Sequence, residues 1–356
     1  MTFLMAGGGT GGHVIPAIAV ARELERRGHR AVFAGTRTGM EARLVPAAGF
    51  PIEWIEIGGL KRVGIMRLLR TAAQLPSSVW KAMGILRKYA AAGVFSMGGY
   101  AAGPPVLAAL ARRLPVVLME PNAMPGFTNR SVGRFAARAL VSFEETLRWF
   151  PAGRGEVTGL PVREDFFRVG PKPPGESVTV LITGGSQGSR TLNRAARESW
   201  PRFRSGPRRY RLIHQTGPGE FAEVEKQFAE SGVEGRVIPF IDDMARAFQE
   251  SDVVVCRAGA GAVAELAAAG KPSVLVPFPF AADDHQTRNA EVMARAGAAR
   301  MVADRDLTGD GLFEEVDAIS HSADGLRRMG EAARRLARPG AAAKAADALE
   351  ECGAGR

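Results

Sequence analysis

The sequence has two cysteines, Cys256 and Cys352, in 356 residues. Two thiols make neither a disulfide framework nor a zinc pattern, and their scarcity fits a reducing cytoplasm. Five histidines are scattered without a Cys/His cluster, so no metal site is expected. The one D-x-D, Asp304-Arg305-Asp306, lies in a turn-like stretch far from the glycine loops and reads as helix capping. No glycine loop is followed by Gly-Lys-Ser/Thr, which excludes a P-loop. Aromatic residues are 7% of the chain and no nucleic-acid motif is present, so a nucleic-acid partner is not expected despite a net charge of +10. The longest uncharged stretch, Tyr89 to Ala111, is broken by Gly93, Gly98, Gly99, Gly103, Pro104 and Pro105, and reads as strand, loop and helix start rather than a membrane span. The apolar run at 3–6 is too short for a signal peptide and has no basic leader.

One further absence is local. There is no Asp or Glu from Ile57 to Met119. Residues 1–150 carry 19 Lys/Arg against 8 Asp/Glu, whereas the remainder is nearly balanced at 28 against 29. Within the acid-free window Lys61, Arg67, Arg70, Arg87 and Lys88 alternate with Leu60, Leu68 and Trp80. Basic plus apolar without acid is the composition of a face that rests on anionic lipid. The plainer alternative is a solvated helical face beside an ordinary core.

The length suits two domains. The first half alternates strand and helix: strands near 2–6, 30–34, 52–57, 93–96 and 115–119, with helices near 12–27, 39–47 and 104–113, and one or two helices in the basic region. A Pro/Gly-rich stretch, Val169–Glu176, reads as a linker. The second half repeats the alternation, with strands near 178–182, 210–214, 236–239, 252–256 and 273–277. This predicts an α/β protein with two Rossmann-like, doubly wound parallel sheets. The domains are expected at 1–163 and 164–340, and a tail at 341–356 is expected to form a helix that returns to the first domain.

Each half begins with a strand that runs into a glycine loop and then a helix: Gly7-Gly-Gly-Thr-Gly-Gly12-His13 and Gly184-Gly-Ser-Gln-Gly-Ser189. Free N–H groups at such a turn, with the helix dipole behind them, attract phosphate. The first loop also contains G-x-G-x-x-G, so a dinucleotide-binding oxidoreductase is a competing reading. That fingerprint needs an acid at the end of the second strand. Here Phe33-Ala-Gly-Thr-Arg37 has none, although Arg37 could take an NADP phosphate. His13 sits at a helix N-terminus, which favours the neutral imidazole and suits a general base. Cys256-Arg-Ala-Gly-Ala-Gly261 is a further strand-to-helix turn, with Glu265 one turn in, where a carboxylate can accept from two ribose hydroxyls. In Asp283-Asp-His-Gln286 the first and last residues resemble a capping pair. His285, Gln286 and Asn289 offer polar groups for sugar hydroxyls. Glu120-Pro-Asn122 follows a strand end, where such sheets place ligand groups.

Four segments together, Gly7–His13, Ser96–Pro104, Gly184–Gly188 and Arg257–Asn289, resemble the MurG family of membrane-associated N-acetylglucosaminyltransferases of bacterial cell-wall synthesis. The resemblance implies a GT-B fold, two Rossmann-like domains facing across a cleft. It implies UDP-N-acetylglucosamine as donor, lipid I as acceptor and lipid II as product, through inverting displacement of UDP by a 4-hydroxyl. By the same pattern Glu265 would hold the ribose, Phe240 and Ile241 the uracil, and Arg163, Gly185, Ser186 and Gln187 the diphosphate side. Arg257, Gly259, Ala260, Gly261, Ala262, Val263 and Ala264 would line the donor, and His285, Gln286 and Asn289 would read its sugar. Thr10, Gly11, Gly12 and Asn122 would complete the donor's surroundings from the other domain. Gly98, Gly99, Tyr100 and Asn129 would face the acceptor. His13 is the implied base, with Glu120 the second candidate, and no metal or other cofactor is implied. An anionic membrane surface, on its cytoplasmic face, and other cell-wall or division proteins would be the partners. Two departures stand out. Met119-Glu120 replaces the family's frequent His-Glu, and Ala262 replaces a usual hydroxyl, so backbone N–H groups must carry that diphosphate contact. A lipid glycosyltransferase acting on diacylglycerol shares much of the pattern, and a nucleotide-responsive membrane adaptor without turnover is the third alternative.

Overall fold

The computed structural model describes residues 1–58, 65–172 and 175–355, without the side chains of 65–70 and 72. They form two compact units, Met1–Val162 with Arg338–Arg356, and Arg163–Ala337. The first unit has strands β1 (Thr2–Gly7), β2 (Arg30–Gly35), β3 (Ile52–Trp54), β4 (Gly93–Gly98), β5 (Val116–Glu120), β6 (Arg138–Val141) and β7 (Gly155–Val157). All pair in parallel, in the order β3-β2-β1-β4-β5-β6-β7. Its helices include α1 (Gly11–Arg26), α2 (Glu41–Ala47), α3 (Ile65–Lys88), α4 (Gly103–Ala111) and α5 (Phe127–Val132).

A parallel strand covered on both faces must be apolar throughout, and Phe3-Leu-Met-Ala6 and Val116-Val-Leu-Met119 are fully buried. Val14, Ala17, Ile18, Ala21 and Leu24 fall on one face of α1 at helical spacing and pack inward. Gly28, at φ +81°, ends that helix in the left-handed conformation that costs glycine least.

The second unit contains β8 (Ser177–Thr183), β9 (Arg209–Gln215), β10 (Glu234–Ile238), β11 (Val253–Cys256), β12 (Ser273–Leu275) and β13 (Ala299–Met301). These are parallel in the order β10-β9-β8-β11-β12-β13. Around them lie α6 (Glu164–Arg168), α7 (Arg190–Ser205), α8 (Phe221–Ser231), α9 (Met244–Glu250), α10 (Ala260–Ala269), α11 (His285–Arg295), α12 (Gly309–Ser320) and α13 (Ala323–Arg335). One side of the core is aromatic: Phe203, Tyr210 and Phe313 meet edge to face at 5.1–5.7 Å, as do Trp200 and Phe228 at 5.3 Å. The final helix, α14 (Ala341–Ala354), belongs to the first unit. It buries Ala345, Ala346 and Leu349, while Arg27 reaches Asp347 at 2.6 Å and Glu350 at 2.9 Å from α1. The apolar face supplies most of the energy, and the ion pairs set the register.

Several elements differ from expectation. The basic region, expected to hold one or two helices, holds one among the described residues, α3, with Pro76 inside it. β6, β7 and β13 go unpredicted because they are only three or four residues long. Val169–Glu176 is no inter-unit linker. It lies inside the second unit, where Arg334 of α13 donates to the Val169 carbonyl at 2.6 Å and Lys172 pairs with Asp252 at 2.6 Å.

In each unit the strand order reverses beside the first strand, between β1 and β4 and between β8 and β11. Loops leaving the carboxyl ends of strands at such a point diverge and open a crevice. The four glycine-bearing loops, Gly7–Thr10, Gly98–Gly99, Gly184–Ser189 and Arg257–Gly259, leave these four strands.

Candidate active site

In the second unit the crevice is built by α7, α10 and the loops before them. Gly259 precedes α10 and has no side chain to cap it. The first intrahelical bond runs from Val263 N to Gly259 O at 3.0 Å, so the N–H groups of Ala260, Gly261 and Ala262 have no acceptor within the helix. Three such donors with the dipole behind them form an anion seat, which Ala262 serves through its backbone. The neighbouring loop is held tightly. Gly188 (φ +75°) bonds to Gly185 O at 2.9 Å, and a Cβ on Gly188 would lie 1.8 Å from Thr216 O. Gly185, Ser186 and Gln187 are exposed on its outer edge.

Glu265 lies in the second turn of α10. It makes no hydrogen bond or ion pair among the described residues, and burial pushes its carboxyl up to about 7 while Arg163 pulls the other way. A carboxylate with its lone pairs unspent at the edge of an anion seat is suited to a diol. Arg163 is half exposed beside it. Phe240 is 51% exposed just beyond β10 and Ile241 is buried. Val263 is buried, and Ala264 is partly so.

Some residues expected to touch ligand are bound to the protein itself. Arg257 donates to the carbonyls of Val276 and Pro277, to Ser189 Oγ at 2.6 Å and to Asp304. Asp304 also accepts from Thr191 at 3.2 Å. The D-x-D is therefore neither remote from the glycine loops nor a helix cap. It anchors the arginine that ties the α7 loop to β11. Asn289 is fully buried and donates to Ala258 O at 3.1 Å, so it braces the loop before α10. Gln286 accepts from Phe278 N at 2.9 Å through Oε1, which turns its amide N–H groups away from that bond. The N-cap of α11 is Asp284, which makes no side-chain cap bond, rather than the expected Asp283. Asp283 and Asp284 instead take left-handed φ values of 52° and 53°, a strained turn that brings His285 and Gln286 to the start of α11. His285 Nδ1 donates to Ala282 O at 2.6 Å.

Gln215 was not predicted. It ends β9, is buried, donates to Gly185 O at 2.7 Å and accepts from Ile241 N at 2.9 Å. One side chain thus spaces the glycine loop from the Phe240–Ile241 segment. The available signal was a polar residue closing an apolar parallel strand just before Gly217. Gln215→Ala leaves Gly185 O and Ile241 N unpaired, and is expected to lower stability by about 1–3 kcal/mol, measured by denaturant unfolding.

The first unit gathers Thr10, Gly11, Gly12 and His13 at the start of α1, with Thr10 as N-cap. His13 Nδ1 lies 3.2 Å from Gly8 O. A carbonyl only accepts, so Nδ1 carries a proton in this contact, and in the neutral ring that tautomer puts the basic nitrogen at Nε2. Gly98 and Gly99 both have φ +77°, and a Cβ on Gly99 would come within 3.1 Å of the His13 ring. Tyr100 packs over Gly9 and lies 3.4 Å from Thr36 Oγ1. Glu120 is 2% exposed and accepts from Asn122 N, Asn122 Nδ2, Gly126 N and Asn129 Nδ2 at 3.0–3.2 Å. Burial pushes its carboxyl up to about 6 against the pull of those donors. Its oxygens are committed to shaping the loop after β5. Asn129 is buried with its amide N–H groups on Met119 O and Glu120, so it holds that loop against Gly98.

An acid does stand at the end of β2, but it comes from α2. Glu41 is fully buried, with its carboxylate on Thr36 N, Thr36 Oγ1 and Gly9 N. It is spent on the protein's own loop, which removes the ribose-holding acid that a dinucleotide site requires.

Of the residues expected at the membrane, Leu60 and Lys61 lie outside the described residues, as do the side chains of Arg67, Leu68 and Arg70. On α3, Trp80 is 78% exposed and shares a face with Gly84 and Arg87. Lys88 pairs with Glu53 at 2.6 Å. Among the described residues, no helix is long and apolar enough to cross a membrane, and no group of three or more His, Cys, Asp and Glu could hold a metal.

Residues 3–141 match the glycosyltransferase family 28 N-terminal domain and residues 179–351 match the family 28 C-terminal domain. The chain belongs to glycosyltransferase family 28. A family relative in Solibacter usitatus, the UDP-N-acetylglucosamine–N-acetylmuramyl-(pentapeptide) pyrophosphoryl-undecaprenol N-acetylglucosamine transferase, is 62% identical over 350 residues, covering 98% of this chain and 96% of that protein. The protein of the same name from an Anaeromyxobacter species is 44% identical over 99% of this chain and 93% of its own length. Among solved structures, MurG of Acinetobacter baumannii superposes with a TM-score of 0.83 at 33% identity, over 98% of this chain and 99% of that one. This family 28 chain therefore has the two Rossmann-like parallel-sheet domains of a GT-B glycosyltransferase.

Proposed function

We propose that this family 28 transferase moves N-acetylglucosamine from UDP-N-acetylglucosamine to the muramoyl 4-hydroxyl of lipid I, forming lipid II with inversion. The observation that carries the donor side is Glu265, a carboxylate without a hydrogen bond or ion pair among the described residues, beside the open N-terminus of α10. Ribose hydroxyls would donate to Glu265. The diphosphate would take the N–H groups at Ala260–Ala262 and the Ser186 loop, and uracil would meet Phe240 and Ile241. His13 Nε2 accepts the proton of the attacking hydroxyl, and the C1–O bond pair leaves with UDP. The named relatives supply the acceptor's identity. An oxidoreductase reading has no ribose-holding acid, because Glu41 is internally bound.

Charge on the departing UDP is met by backbone N–H groups and helix ends, so transfer proceeds without a metal ion. Presenting a synthetic lipid I analogue and diacylglycerol in competition tests the acceptor. Mass analysis should find the sugar only on lipid I, and transfer to diacylglycerol would reassign the substrate.

The chain works as a peripheral protein on the cytoplasmic face of the membrane, and α3 is the element that touches lipid. Trp80 supplies an exposed aromatic anchor and the acid-free basic run supplies the charge. Reversing Arg67, Arg70 and Arg87 to Glu is expected to abolish binding to anionic vesicles at low salt, as read by co-sedimentation. Lys88 is left out because Glu53 already holds it.

A further inference from the structure

Glu41 is a fully buried acid held by backbone and hydroxyl donors, and a buried acid costs stability unless such donors surround it. Three glycines make room for it: a Cβ at Gly8, Gly35 or Gly39 would lie 2.1–2.5 Å from its side chain. Its Oε2 accepts from Gly9 N at 2.8 Å, and Oε1 accepts from Thr36 N at 2.9 Å and Thr36 Oγ1 at 2.8 Å. The Gly9 N–H and the Gly8 carbonyl are two ends of one planar peptide group. The far end of that peptide accepts from His13 Nδ1 at 3.2 Å. The chain of contacts is therefore carboxylate, peptide N–H, peptide C=O, imidazole N–H.

We infer that Glu41 is a positioning residue for the transfer reaction, acting on His13 through the Gly8–Gly9 peptide in a carboxylate–peptide–histidine relay. The inference rests on His13 being the base. A carboxylate on the N–H end polarises the peptide and makes its carbonyl a stronger acceptor. That holds the His13 proton on Nδ1 and leaves Nε2 to take the hydroxyl proton as the nucleophile attacks C1 and UDP departs. The imidazolium then formed donates its Nδ1–H to the same strengthened carbonyl. The peptide does the work that a carboxylate performs directly in a His–Asp pair. It also explains why the loop keeps a buried acid: Glu41 sets both the orientation and the polarity of the group that holds the base. The same Thr36 hydroxyl that donates to Glu41 can accept from Tyr100 OH at 3.4 Å, which ties the Tyr100 segment to the relay.

The test uses the full-length protein and four variants: Glu41→Gln, His13→Ala, the double variant, and Thr36→Val as a gentler perturbation should Glu41→Gln misfold. Glu41→Gln is expected to lower kcat by about 10–100-fold, in the range for a positioned general base that has lost its support, with the Kd for UDP-N-acetylglucosamine unchanged. In the His13→Ala background it should cost nothing more, because the relay has lost its end point. Thr36→Val should show a smaller loss that likewise disappears without His13. Nitrogen-15 NMR of the unmodified protein should find the neutral ring protonated on Nδ1. Losses that multiply in the double variant, or a ring protonated on Nε2, overturn the relay while leaving His13 as the base. If His13→Ala alone transfers at the normal rate, the base reading itself fails and takes the relay with it.

Discussion

Replacing His13 with alanine is expected to slow transfer by about 10²–10⁴-fold, the usual contribution of a positioned general base, while the Kd for UDP-N-acetylglucosamine stays the same. The split follows from where the residue sits. His13 belongs to the first unit, whereas the anion seat and Glu265 belong to the second. Its Nδ1 is held by Gly8 O, which fixes the ring at the start of α1, away from the anion seat. Glu120, the other acid considered for the role, has four donors on its carboxylate, and freeing it would dismantle the loop from Asn122 to Gly126. Glu120→Gln should therefore lower stability along with activity. Rate and affinity measured together on His13→Ala check the account, and an equal loss in both would remove the assignment.

The second large effect is expected at Glu265. Glu265→Ala should weaken donor binding by about 1.5–3 kcal/mol, the scale of hydrogen bonds to a charged group, and pH should matter in a definite direction. In the empty protein burial pushes this carboxyl up to about 7. The ionised form accepts from both ribose hydroxyls, and the protonated form loses one of those bonds. Donor binding thus favours the carboxylate and lowers its pKa. Affinity should be full above about pH 7 and decline as the pH falls through it, by up to about tenfold per unit. The diphosphate of an intact UDP-sugar is already fully ionised over that range, so it adds no competing titration. Glu265→Gln should bind weakly at every pH, with the slope gone. Calorimetry between pH 5.5 and 8.5 on both proteins checks this, and a slope that survives Glu265→Gln assigns the titration to another group.

What could be read from the sequence was local. A strand running into glycines and then into a helix is a short-range pattern, and it located all four loops and the alternation that implies parallel sheets. Polar residue type also located Glu265, because a carboxylate one turn into a glycine-led helix has few other uses. Side-chain direction was not legible. Asn129 and Asn289 look like ligand residues until their amides are seen to be bound to Met119 O and Ala258 O. Contacts made across the sheet were equally hidden. Arg257 and Asp304 are 47 residues apart, and Glu41 reaches Gly9 across 32. β2 itself ends without an acid, and the carboxyl there arrives from the first turn of the next helix. Gln215 is hidden for the same reason, since both of its partners lie in other loops.

The central claim is that this chain transfers a sugar from UDP-N-acetylglucosamine to lipid I without a metal. The direct measurement is UDP release from that donor in EDTA, with and without a short-chain lipid I analogue. The account predicts release that depends on the acceptor and is unchanged by the chelator. Donor binding without acceptor-dependent release, or release that stops in EDTA and returns with a divalent cation, would contradict it.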